Sequence, residues 1–125
     1  RYFGQSGFIS AVVGLSGPYD LPLDNPEVRS VFPAVDDPER VKPTALVTRK
    51  HPRTLLLHGA KDKRVKPFHT QRYEQALKDS GVEVETHILV GVRHVDIVAS
   101  VATPLRLLNS SKKLMVSFLA DLDRK

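Results

Sequence analysis

Arg53-Thr54-Leu55-Leu56-Leu57-His58-Gly59-Ala60-Lys61-Asp62 is the stretch on which the reading of this chain turns. Leu55 to Leu57 form a continuous apolar run with no polar alternation. That pattern suits a strand buried on both faces better than one with a face in water. Gly59 breaks the run, and a carboxylate, Asp62, follows shortly after. In open α/β sheets, functional groups collect just beyond the carboxyl ends of the strands, so Asp62 is a candidate site residue. A parallel arrangement occurs at Val90-Gly91-Val92-Arg93-His94, where an apolar segment ends, a Gly permits a sharp turn and a His follows. His94 comes 32 residues after Asp62, which leaves room for one helix and one strand. A single βαβ crossover therefore brings a carboxylate and an imidazole to the same edge of a sheet.

The flanking sequence supplies the parts of that crossover. Thr54 to His58 reads as a strand. Pro67 opens a helix that runs to about Ser80, with Tyr73, Ala76 and Leu77 on one apolar face and Gly81 as its stop. Val84 to Val90 is the next strand. Upstream, Ile9 to Leu15 is a further strand, ended by the turn cluster Ser16-Gly17-Pro18-Tyr19-Asp20. Residues 1 to 8 read as a loop or a frayed helix end. Between Leu21 and Pro52 the recurrent prolines forbid a long helix or a central strand. Short helices fit at Pro26–Phe32, capped by Asp24-Asn25, and at Pro43–Val47. This stretch is an irregular excursion suited to a lid or pocket wall. Downstream, Val95 to Leu108 carries Pro104 and splits into two short pieces. Asn109-Ser110-Ser111 caps a last helix whose stripe is Leu114, Met115, Phe118, Leu119 and Leu122.

Composition bounds the function. Hydrophobic residues make up 41% of the 125 and charged residues 26%, as in ordinary globular chains. No run approaches the length of a membrane span, and the start has no signal-peptide core. Without Cys there is neither a disulfide framework nor thiolate chemistry. The net charge of +5 is scattered, and aromatics are only 6%. A nucleic-acid surface, which needs a basic stripe with aromatic platforms, is not expected. Dinucleotide and P-loop signatures are absent, and His51, His69 and His87 do not stand at metal-ligand spacings. Neither cofactor nor metal is expected. His58 reads as a hydrogen-bonded strand-terminal His.

Three parallel strands make a small sheet with open edges, and the chain lacks an initiating Met. The reading is therefore of one part of a larger α/β domain.

Chain order acid-then-base is the order of the last two members of an α/β-hydrolase triad. The segment Leu55 to Val65 resembles the acid-bearing segment of α/β-hydrolase esterases, and Gly91-Val92-Arg93-His94 resembles their Gly-x-x-His segment. Val12 to Asp20 is similar to the end of the sixth strand in the esterase/lipase group, which includes carboxylesterases of the hormone-sensitive-lipase and kynurenine-formamidase-like types. The resemblance covers about residues 1 to 122. It implies a partial α/β-hydrolase fold: the last three parallel strands with flanking helices. Residues 1–125 would form the carboxyl-terminal part of a single domain. It also implies a serine hydrolase of small carboxylic esters, with Asp62 as triad acid and His94 as general base.

The nucleophile motif Gly-x-Ser-x-Gly does not occur. Gly4-Gln5-Ser6-Gly7-Phe8 and Gly14-Leu15-Ser16-Gly17-Pro18 each lack the final Gly, and no His-Gly-Gly oxyanion motif is present. The partner implied is the missing amino-terminal half of the domain, in the same or a separate chain, and this chain alone is expected to be inactive. Amidase or peptidase activity of the same fold remains open, as does a noncatalytic interaction module. A small flavodoxin-like binder would require a phosphate loop that the sequence lacks.

Overall fold

The computed structural model describes residues 9–32, 36–102 and 109–124. Three strands, β1 (Ala11–Leu15), β2 (Arg53–Gly59) and β3 (Val84–Leu89), form a parallel sheet in the order β1-β2-β3. The register pairs Leu55 with Val13 on one side and with Glu85 on the other. This is a partial α/β-hydrolase fold. The central position of β2 explains its apolar run: Leu55, Leu56 and Leu57 are all fully buried.

Each face of β2 meets a different helix. Leu56 points toward α2 (Phe68–Asp79) and packs with Tyr73, Leu77 and Val82. Leu55 and Leu57 point the other way, onto Phe118, Leu114 and Met115 of α4 (Asn109–Ala120). Burial of one such side chain is worth about 1.5–3 kcal/mol, so the run that marks β2 in the sequence is also its main anchor. The end of α2 is a Schellman motif. Gly81 adopts φ 76°, its N–H bonds to the Lys78 carbonyl at 2.9 Å, and the Val82 N–H bonds to the Leu77 carbonyl at 3.0 Å.

The two outer strands differ. β3 carries Glu85 and His87, whose side chains are joined at 2.7 Å, and charge of this kind protects a sheet edge. β1 (Ala-Val-Val-Gly-Leu) carries no polar side chain. Among the described residues it pairs with β2 alone.

Several boundaries differ from the sequence reading. β1 starts at Ala11 rather than Ile9, which is half exposed. In the excursion, α1 spans Pro26–Ser30, with the Asn25 side chain accepting from the Glu27 N–H. The segment at Pro43–Ala45 is a 3₁₀ turn, and a second 3₁₀ turn at Pro38–Val41, capped by Asp37, was not foreseen. Proline at the start of each turn sets φ but leaves too few residues before the next break for a longer helix. α4 already includes Asn109 to Ser111, Ser111 is buried, and Leu119 of the expected stripe is 48% exposed. Residues 1–8 and the second piece of the Val95–Leu108 segment lie outside the described residues. None of the described helices is long and apolar enough to cross a membrane.

Candidate active site

β2 ends at Gly59, and residues 60–65 turn back toward α2. The first turn is closed by the Asp62 N–H on the Gly59 carbonyl at 3.0 Å. The Asp62 side chain then folds over the next residues. Its Oδ1 accepts the N–H groups of Arg64 and Val65, both at 2.9 Å. This is the local side-chain-to-backbone bonding that Asp favours in turns.

The second loop runs from Val90 to Arg93, with Gly91 at φ 80°. It leads into α3 (His94–Ala102). Asp96 in the first turn of α3 reaches back to the Arg93 N–H at 2.9 Å and also grips the Arg93 guanidinium. The reciprocal contact is half of a capping box. It fixes His94 as the first helical residue.

The two loops are laced together. The Ala60 N–H bonds to the Leu89 carbonyl and the Lys61 N–H to the Val92 carbonyl, both at 2.9 Å. Across this seam Asp62 Oδ2 lies 2.7 Å from His94 Nδ1. The Asp62 side chain has no exposed surface, while that of His94 is 27% exposed. A carboxylate accepts only, so Nδ1 carries the hydrogen. No described residue hydrogen-bonds Nε2. Both residues line an open cleft of about 820 Å³, with Lys61, Lys63, Arg64 and Arg93 on its rim. Burial alone would raise the Asp62 carboxyl, but bonds from Val65, His94 and Arg64 outweigh it and hold the group below its ordinary value of 3.8.

His58 is fully buried behind this pair. Its Nδ1 lies 2.6 Å from Thr70 Oγ1 and its Nε2 lies 2.8 Å from the Val65 carbonyl. It is a satisfied histidine, as its strand-terminal place suggested. Its partner Thr70 was missed, because apolar periodicity does not mark a buried threonine. The signal was present in the unbroken polar start of α2, His69-Thr70-Gln71-Arg72. Ser16 sits at the end of β1 at φ 46°, buried, with its N–H on the Leu57 carbonyl. Ser16 is not among the residues that line the cleft with His94. Ser6 lies outside the described residues. The remaining histidines are dispersed: His51 meets Tyr73, His69 accepts from Asp20, and His87 pairs with Glu85.

The fold is shared with solved esterases. An acetyl ester-xyloside bifunctional hydrolase from Caldicellulosiruptor lactoaceticus superposes with a TM-score of 0.72 at 23% identity, over 91% of this chain and 43% of its own. A carboxylesterase from Lactobacillus plantarum WCFS1 gives 0.70 at 19%, over 90% and 44%. Esterase 2 of Thermogutta terrifontis, phosphoramylated by tabun, gives 0.70 at 18%, over 90% and 41%. The chain thus spans less than half the length of these proteins. Among curated proteins, none matches it in sequence. Over residues 18–121, which take in β2, α2, β3 and both members of the Asp62–His94 pair, the chain matches the model of the prolyl oligopeptidase family, and to that family it belongs.

Proposed function

We propose that the protein containing this chain is a serine-type hydrolase of small carboxylic esters, with His94 as general base and Asp62 as the acid that orients it. The observation that carries this reading is the 2.7 Å contact between Asp62 Oδ2 and His94 Nδ1. It fixes the imidazole in the tautomer whose lone pair is on Nε2. That nitrogen takes the proton of a serine hydroxyl as the oxygen attacks the ester carbonyl. The imidazolium so formed faces the ionised Asp62, which stays ionised throughout. Nε2–H then gives its proton to the departing alkoxide. A water molecule repeats the sequence on the acyl-enzyme, restoring the serine.

The nucleophile and the oxyanion donors would come from a preceding half of the same domain. The absence of Gly-x-Ser-x-Gly supports this, as does the chain's span of under half of its structural neighbours. The unprotected β1 is where a further parallel strand of that half would pair. The excursion before β2 contributes a second depression of about 540 Å³, bordered by Asp20, Pro22, Lys42 and Phe68, which would shape part of the substrate pocket.

A second reading, hydrolysis of amide or peptide bonds, is favoured by the family match, since the family is named for an oligopeptidase. The same base and acid serve either bond. The two are separated by assaying the full-length protein on p-nitrophenyl acetate and on a prolyl p-nitroanilide. Faster turnover of the acetate, abolished by His94→Ala, is the expected result. Turnover of the anilide alone selects the second reading, and no turnover of either returns the chain to a noncatalytic role.

A further inference from the structure

Beyond the acid and the base, we propose that His58 is a positioning residue: pinned by Thr70, it clamps the Val65 carbonyl and so holds the 62–65 loop in the shape that aims Asp62 at His94. The inference rests on the Asp62–His94 reading above, but its test does not depend on catalysis.

The Val65 carbonyl can only accept, so His58 Nε2 carries a hydrogen. Thr70 Oγ1 stands 2.6 Å from Nδ1 and pins the other side of the ring. The Asp62 carboxylate is engaged by Arg64, Val65 and His94. His58 Nε2 stands 3.5 Å from Asp62 Oδ2, too far for a strong hydrogen bond. Its hold on the acid is therefore indirect, through Val65.

Val65 is gripped on both sides. Its carbonyl accepts from His58, and its N–H donates to Asp62 Oδ1. Thr70 lies in the first turn of α2, which packs on the sheet beneath. The acid loop is thereby tied to a rigid helix through one imidazole. An apolar residue at position 58 would fill the space but take away the partner of the half-buried Val65 carbonyl and of the buried Thr70 hydroxyl. That is costly, and the loop would shift to find new ones.

Three variants separate the parts. His58→Gln places an amide N–H where Nε2 was and keeps the clamp on Val65. His58→Leu removes both contacts. Thr70→Val removes the anchor alone and is the milder test should His58→Leu fail to fold. The readout is the downfield proton resonance of His94 Nδ1–H bonded to Asp62, followed by NMR in the full-length protein, together with its kcat and KM. The resonance is expected to persist in His58→Gln, to weaken in Thr70→Val and to be lost in His58→Leu. In the same order kcat falls, by about 10- to 100-fold at the extreme, with KM little changed. A lowered melting temperature with an unaltered His94 resonance in the folded Leu or Val variant would overturn the proposal and make His58 a core residue only. An enzyme inactive in its native form would sink the hydrolase reading while leaving the resonance test intact.

Discussion

The backbone of Val92 occupies the space that a side chain on Gly59 would need: a Cβ built there would stand 2.4 Å from the Val92 carbonyl oxygen and 2.9 Å from its carbon. Gly59 closes the acid strand and Val92 lies in the loop that leads to the base. Their contact is the point at which the two candidate site residues are brought into register, and the adjoining Lys61 N–H bonds to that same Val92 oxygen.

Gly59→Ala is therefore expected to push the two loops apart. The obstruction is backbone and cannot rotate away, so overpacking of this kind costs about 1–3 kcal/mol. Thermal unfolding should show the loss of stability, and the His94 Nδ1 proton resonance should broaden or disappear.

Asp62→Asn keeps the shape of the acid but replaces one oxygen by a donor. If the amide nitrogen faces His94, it forces the wrong tautomer on the ring. Turnover of the full-length enzyme should fall by about 10⁴-fold, with substrate affinity nearly unchanged. A fall of only a fewfold would show that Asp62 does not orient the base.

The depressed Asp62 carboxyl also makes a statement about stability. The group titrates at 3.8 when unperturbed and lower in the folded chain. Its ionised form thus favours folding above about pH 4, and that contribution is lost as pH falls through the folded value. Urea titrations should show a stability gap between the native chain and Asp62→Asn that is constant well above about pH 4 and narrows as pH falls below it. A gap independent of pH would contradict the assignment of the shift to folded-state hydrogen bonds.

The bare edge of β1 predicts association. The isolated 125-residue chain should sediment as a concentration-dependent mixture, and Ile9→Lys beside the strand should shift it toward monomer. A monomer at all concentrations would mean that β1 is covered from within the chain.

Much of this arrangement was legible beforehand because it rests on local rules. Leu55 to Leu57 announced a doubly buried strand, and Gly81 announced the end of α2. The spacing of Asp62 and His94 announced one crossover. What escaped was set by tertiary contacts. Thr70 looks like any polar helix residue until β2 places His58 against it. Leu119 looks like core until α4 turns it outward. The 3₁₀ turns between the prolines depend on where the chain must re-enter the sheet. The seam between Gly59 and Val92 is invisible in sequence, since a Gly at a strand end has many uses.

The most direct test of the central claim is the rate at which a fluorophosphonate labels the full-length protein, native and with His94→Ala. The reagent reports a serine made nucleophilic by a base. If Asp62 and His94 form the base half of a hydrolase, a single serine outside this chain is labelled in the native protein, and labelling is lost in the variant. Labelling at the same rate in both, or none in the native protein, would contradict it.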